Sequence, residues 1–176
     1  TEVGRHVMEV AGREIKRVTL ELGGSDPMIV CEDADVETAI RMADVGRYFN
    51  CGQMCLGVKR LFLHESIADD FVAKLAELLK KKTVGNGTKK ESRMGPLHLD
   101  YQRKEVAEQV EEAKSRGAKV LIGGESPKGP EYDKVVTTEG DRVLGPTDVE
   151  LLAFVAAGGP RRIRRSEASD LRLAEL

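Results

Sequence analysis

Short aliphatic runs alternate with stretches of helical apolar spacing over the first 124 residues, and no other feature of the chain constrains the fold as much. Ile15 to Leu22 is rich in β-branched and aliphatic residues and closes on Gly23-Gly24. Pro27 to Val30, Arg60 to Leu63 and Ala118 to Ile122 are the other strand candidates, the first of them short and buried. Between them, Val3, Val7 and Val10 recur at helical spacing, and Val36, Ala39, Ile40 and Ala43 form the stripe of a helix that starts after Asp35 and ends near Gly46. Ile67, Phe71, Leu75 and Leu78 face one way in a third helix, opened by the capping-box pattern Ser66 to Asp69. A fourth runs from Tyr101 to Arg116 with Val106, Val110 and Ala113 inward and Gly117 as its stop signal, while Val84 to Gly87 is turn chemistry. Strands and helices in this order pack as crossover units, so the expected class is α/β, a mostly parallel sheet with flanking helices.

Beyond Gly124 the periodicity fades. Pro127, Gly129, Pro130, Gly140, Gly145 and Pro146 punctuate a stretch that becomes rich in Ala, Arg and Leu, with no core face. Two regions are therefore expected, a folded 1–124 and an irregular 125–176. The net charge of −2, from 28 basic and 30 acidic residues, gives no field that would draw the whole molecule onto nucleic acid or an anionic membrane. No apolar run approaches the roughly 18 residues of a membrane span. Three cysteines are an odd number and far from a disulfide scaffold, which points to a reducing, cytoplasmic setting. Lys80, Lys81, Lys82, Lys89 and Lys90 lack interleaved aromatics and read as a solvated face.

Two words carry chemistry. Thr19-Leu20-Glu21-Leu22-Gly23-Gly24 places a carboxylate at a strand end, and Phe49-Asn50-Cys51-Gly52-Gln53-Met54-Cys55 places a thiol between two glycines, Gly52 and Gly57. A thiolate adds readily to a carbonyl, and a carboxylate of raised proton affinity can activate water. Cys51, four residues before Cys55, also suits a metal or disulfide pair, but Cys31, His6, His64 and His98 offer no second cluster at zinc spacing.

Together the two words resemble the aldehyde dehydrogenase superfamily, and Met94-Gly95-Pro96-Leu97, Gln102-Arg103 and Gly117-Ala118 extend the match over Thr1 to Gly124. The resemblance implies an aldehyde dehydrogenase-like catalytic domain truncated at both ends, with 125–176 divergent or out of frame. It implies Cys55 as nucleophile, forming a thiohemiacetal and then a thioester, with its own N–H as an oxyanion donor. Glu21 is the implied general base, expected to be buried in a crevice shared with Cys55. Leu22 and Gly23 are implied to approach the nicotinamide of NAD or NADP, and Asn50 to support the loop. The family's second oxyanion donor, an asparagine, and its main dinucleotide-binding residues have no counterpart in this sequence, so a chain of this extent is expected not to hold the cofactor. Leu20 to Pro27, Gly46-Arg47-Tyr48 and Lys59-Arg60 are similar to the succinate-semialdehyde branch, which implies a small aldehyde, an anionic semialdehyde, as substrate. Two other readings stay open: a cysteine esterase acting through acyl-Cys55 without nucleotide, and a non-catalytic interaction module pairing its free sheet edges with a partner or in a homo-oligomer.

Overall fold

The computed structural model describes residues 1–126 and, beyond them, the strand backbones 135–136, 143–144, 155–156 and 171–175. Strand β1 (Asp26–Val30) passes through helix α2 (Val36–Tyr48) into β2 (Val58–His64), and the two strands pair in parallel with Met28 opposite Leu61 and Val30 opposite Leu63. This crossover unit is the expected α/β element. Helix α3 (Glu65–Leu79) follows β2 directly, and α4 (Asp100–Ser115) leads to β3 (Lys119–Val120). A five-stranded sheet runs β1-β2-β7-β6-β3, where β6 is Val155–Ala156 and β7 is Leu171–Glu175. The pairings of β2 with β7, β7 with β6 and β6 with β3 are antiparallel, and β4 (Val135–Val136) pairs separately with β5 (Val143–Leu144). The punctuating prolines and glycines from Pro127 to Pro146 and the arginines Arg161 to Arg165 lie outside the described residues.

The core gathers Val30, Ile40, Ala43, Leu61, Leu63, Ala68, Phe71, Leu75 and Leu79. They come from one face of the strand pair and the apolar stripes of α2 and α3, as period 2 and period 3.6 require. Complete burial of Phe71, Leu61 and Leu75 contributes roughly 1.5 to 3 kcal/mol for each side chain. The same alternation turns Ile29 outward, 60% exposed, so β1 is buried on one face only and not throughout as its sequence suggests.

Helix ends show which local signals were used. Asp35 caps α2, its Oδ1 accepting from the Thr38 N–H at 2.9 Å, and that bond holds the carboxyl below its usual range. Gly117, at φ +88°, closes α4 with the Ala118 N–H reaching back to the Ala113 carbonyl. For α3 the cap is His64, whose Nδ1 accepts from the Ser66 N–H at 3.3 Å, so the cap lies two residues before Ser66, the one expected from the sequence.

Ile15 to Leu22 is not a strand. Helix α1 (Glu2–Arg13) ends in a bond from the Lys16 N–H to the Ala11 carbonyl, which places Ile15 in the left-handed region at φ 53°. That conformation cannot open a β-strand, and among the described residues the segment that follows finds no ladder partner. It lies against α1 instead, with Leu22 seated on Gly4, where a Cβ would lie 2.8 Å from Leu22 Cδ1.

Candidate functional site

After Tyr48 closes α2, three consecutive residues turn left-handed: Asn50, Cys51 and Gly52 at φ 49°, 59° and 74°. A left-handed L-residue costs about 1–2 kcal/mol, least for asparagine, so Cys51 needs outside support. Gly52 is obligatory, since a Cβ there would meet Arg47 Nη1 at 2.7 Å and the Arg47 carbonyl at 3.0 Å. The support comes from the strap 94–98. Cys51 Sγ donates to the Gly95 carbonyl at 2.9 Å and the Pro96 carbonyl at 3.3 Å, and the His98 N–H donates to Gln53 Oε1 at 2.8 Å. Gln53 Nε2 in turn donates to the Asn50 carbonyl at 3.0 Å. Burial pushes the Cys51 thiol up from its ordinary value, so this sulfur stays a hydrogen-bond donor. It braces the loop and does not pair with Cys55, which is also a free thiol.

Cys55, past the turn, is exposed. It lines a cleft of about 430 Å³ together with Leu22, Gly23, Gly24, Arg47 and Lys59. The Leu22–Gly24 run is set across from the thiol loop by Arg60, whose Nε and Nη2 donate to the Ser25 carbonyl at 3.0 and 2.8 Å. Gly24 lies so close that a Cβ on it would sit 2.9 Å from the Cys55 carbonyl oxygen. That oxygen and its neighbour on Met54 accept from Lys59 Nζ at 2.8 and 2.7 Å. Gly24→Ala is expected to force this apposition open and slow acylation of Cys55 by roughly 10- to 100-fold, the usual consequence of displacing a reacting group by about 1 Å. Burst kinetics with an activated ester measure it, and an unchanged burst rate would mean the 22–24 backbone does not shape the site.

The four residues singled out from the sequence fall unevenly. Cys55, Leu22 and Gly23 share the cleft; Glu21 is exposed and is not among the residues lining it. Its expected burial is not found, because the segment carrying it lies outside any sheet and no layer of the described residues covers it. Unforeseen from the sequence were the strap, the bracing role of Cys51, and Lys59. None has a local signature, since each depends on contacts with other parts of the loop or chain.

Arg47 and Tyr48 form the inner wall. The Tyr48 phenol is buried, its pKa pushed up to about 12 by that burial, and neither its hydroxyl nor Arg47 Nε has a hydrogen-bond partner among the described residues. Burial likewise pulls Arg47 below the usual guanidinium range. Lys82 Nζ stands 5.5 Å from the Tyr48 ring centroid and 2.7 Å from Asp44 Oδ1, which takes this lysine out of the solvated basic face assigned to it above. A second cavity of about 560 Å³ shares Tyr48, Cys51, Gln53, Met94 and Leu97 with the first, so the thiol loop and the strap 94–98 together separate them. Among the described residues no group of three or more His, Cys, Asp or Glu side chains could hold a metal ion, and no helix is long and apolar enough to cross a membrane.

Residues 1–138 match the profile described as Aldehyde dehydrogenase family. The chain is 38% identical over 139 residues to glutarate-semialdehyde dehydrogenase of Pseudomonas putida, covering 79% of this chain and 29% of that protein. It is 36% identical over 157 residues to betaine aldehyde dehydrogenase of Brucella ovis, covering 89% and 32%. Among solved structures it resembles betaine aldehyde dehydrogenase of Staphylococcus aureus in complex with NAD+, with a TM-score of 0.70 at 35% identity over 74% of this chain and 26% of that one. Succinate-semialdehyde dehydrogenase of Burkholderia pseudomallei gives 0.68 at 39% identity over 70% and 26%. The chain thus spans about a third or less of the length of each of these relatives.

Proposed function

The chain belongs to the aldehyde dehydrogenase family, and from that membership we propose that Cys55 is the nucleophile of an aldehyde oxidation. The observation that carries the reading is the exposed Cys55 thiol across a cleft from the glycine-bearing run Leu22–Gly24. In this scheme the Cys55 thiolate adds to the aldehyde carbon and its own N–H faces the oxyanion of the thiohemiacetal. A nicotinamide dinucleotide, NAD or NADP, supplies the hydride acceptor when bound. Leu22 and Gly23 fit the edge of such a flat ring: both are exposed in the cleft, and open space surrounds the place where a Gly23 Cβ would be. Glu21, exposed and next in the chain to Leu22, then serves as the base that activates water for thioester hydrolysis.

The substrate that suits the cleft is a small anionic semialdehyde. Two of the relatives named above are semialdehyde dehydrogenases, and Arg47 and Lys59 bring two cations to the lining against one carboxylate, Glu105. Because the thioester half of the scheme needs no nucleotide, it can be tested by itself. The chain is treated with p-nitrophenyl acetate, quenched in acid and digested, and its peptides are weighed. The acetyl group is expected on Cys55; its appearance on Cys31 or Cys51, or on no cysteine, would sink the proposal.

A further inference from the structure

We propose that the second cavity, the one Cys55 does not line, is a separate binding site for a small organic anion, a carboxylate or a phosphate ester. The inference does not rest on the reading of Cys55 as nucleophile. The cavity is bounded by the turn at Asn86 to Thr88, by Arg93 and by the strap 94–98, and measures about 560 Å³. Small-molecule sites commonly occupy roughly 300 to 1,000 Å³. No aspartate or glutamate lines it, whereas the cleft that holds Cys55 has Glu105.

Acceptors around this cavity are already engaged, and donors are left over. The Gly95 and Pro96 carbonyls accept from Cys51 Sγ, the Asn50 carbonyl accepts from Gln53 Nε2, and Gln53 Oε1 accepts from the His98 N–H. Asn86 Oδ1 accepts from both the N–H and the hydroxyl of Thr88, each at 2.9 Å. Those two bonds fix which end of the amide is the oxygen, and they leave the Asn86 NH2 group free to donate. Arg93 springs from a held backbone, its own N–H donating to the Thr83 carbonyl at 2.8 Å, while its guanidinium has no ion pair or hydrogen bond among the described residues. Tyr48, also in the lining, carries a buried hydroxyl that likewise lacks a partner among those residues. A lining with one cation and several donors in excess suits a group that only accepts. Ionised carboxylates and phosphates are such groups, and a guanidinium fork matches their oxygens in pairs. Phe49, which is exposed, and Pro96 offer an apolar surface in the same cavity for the carbon body of the ligand.

The test titrates the whole isotope-labelled chain with benzoate, inorganic phosphate and benzamide, followed by proton–nitrogen correlation spectra. Benzamide has the shape of benzoate without its charge. The two anions are expected to shift the side-chain NH2 signals of Asn86 and the backbone N–H signals of Arg93, Gly95 and His98 at millimolar concentration, and benzamide is expected to leave them in place. Arg93→Gln should weaken both anions roughly tenfold, as the loss of a charged donor does, and Arg93→Lys should recover part of the affinity. Arg93 is exposed, so these variants are expected to keep the fold, which the same spectra report. Tighter binding of benzoate assigns the site to carboxylates with an apolar body, and tighter binding of phosphate assigns it to phosphate esters; either result supports the proposal. Shifts confined to Gly23, Gly24 and Lys59 would put the anion in the cleft of Cys55 and overturn it. So would equal binding of benzamide, an affinity unchanged in Arg93→Gln, or no shift with either anion.

Discussion

Cys55→Ala is expected to abolish acylation and turnover of an activated ester by this chain, a loss of roughly 1,000-fold or more of the kind seen when a nucleophile is deleted. Cys51→Ala is expected to keep turnover measurable, at roughly a fifth of the original rate. The two sulfurs are four residues apart in the same cleft, yet their surroundings differ. Cys55 is exposed and its sulfur makes no hydrogen bond among the described residues, whereas Cys51 is half-buried and donates to the carbonyls of Gly95 and Pro96. Removing the Cys51 thiol deletes a brace worth about 1 kcal/mol, which translates into a rate lower by about fivefold if the turn loosens in proportion. Steady-state hydrolysis of p-nitrophenyl acetate by the two variants decides the matter. Equal losses in both would show that the loop acts as a unit and that the sulfur at Cys55 has no special part in it.

Phe71→Ala is expected to destabilise the chain by about 3–5 kcal/mol, the range for truncating a fully buried aromatic residue. The total stability of a domain of this size is about 5–15 kcal/mol, so the variant should sit near or beyond its unfolding midpoint at mild urea concentrations. Phe71 has no exposed surface and packs in the cluster that joins α3 to the β1–β2 pair. Leu78, on the same helix but only partly buried at the rim of that cluster, should cost clearly less when cut to alanine. Urea unfolding of the two variants, followed by far-ultraviolet circular dichroism, compares them. A Phe71→Ala midpoint no lower than that of Leu78→Ala would mean that this cluster is not the main source of stability. The outcome bears on the site as well, since β2, which carries Lys59 and Arg60, is held on that cluster by Leu61 and Leu63.

How much of this could be read from the amino acids depends on how local the cause is. The stripe Val36, Ile40, Ala43 and the run Phe71, Leu75 each report a helix because the residues that make the pattern are also the ones that bury it. Gly117 and Asp35 act within their own turn and were legible for the same reason. Ser66 misled, because the imidazole of His64 offers an acceptor two residues earlier and the helix starts there. Ile15 to Leu22 misled because β-branched composition says only that a strand would be tolerated; a ladder needs a neighbour, and the end of α1 had already claimed Ile15. Cys55, Leu22 and Gly23, singled out by the words around them, line one cleft. The brace of Cys51 and the exposure of Glu21 were not legible, since each is decided by which distant segment covers or fails to cover the residue, and the grip of Lys59 was not, since it depends on how the loop between Cys55 and Lys59 turns back.

The left-handed turn at Asn50-Cys51-Gly52 has a consequence for what holds Cys55 in place. Two of its three residues occupy a conformation they would abandon if released, and what detains them is a sulfur, a glutamine and an ammonium, each bonded to other parts of the loop or chain. A synthetic peptide with the same letters from Phe49 to Gly57 would relax and lose the turn that places Cys55 in the cleft. The disposition of Cys55 is thus a tertiary trait, lent to the segment by its surroundings and returned when they part.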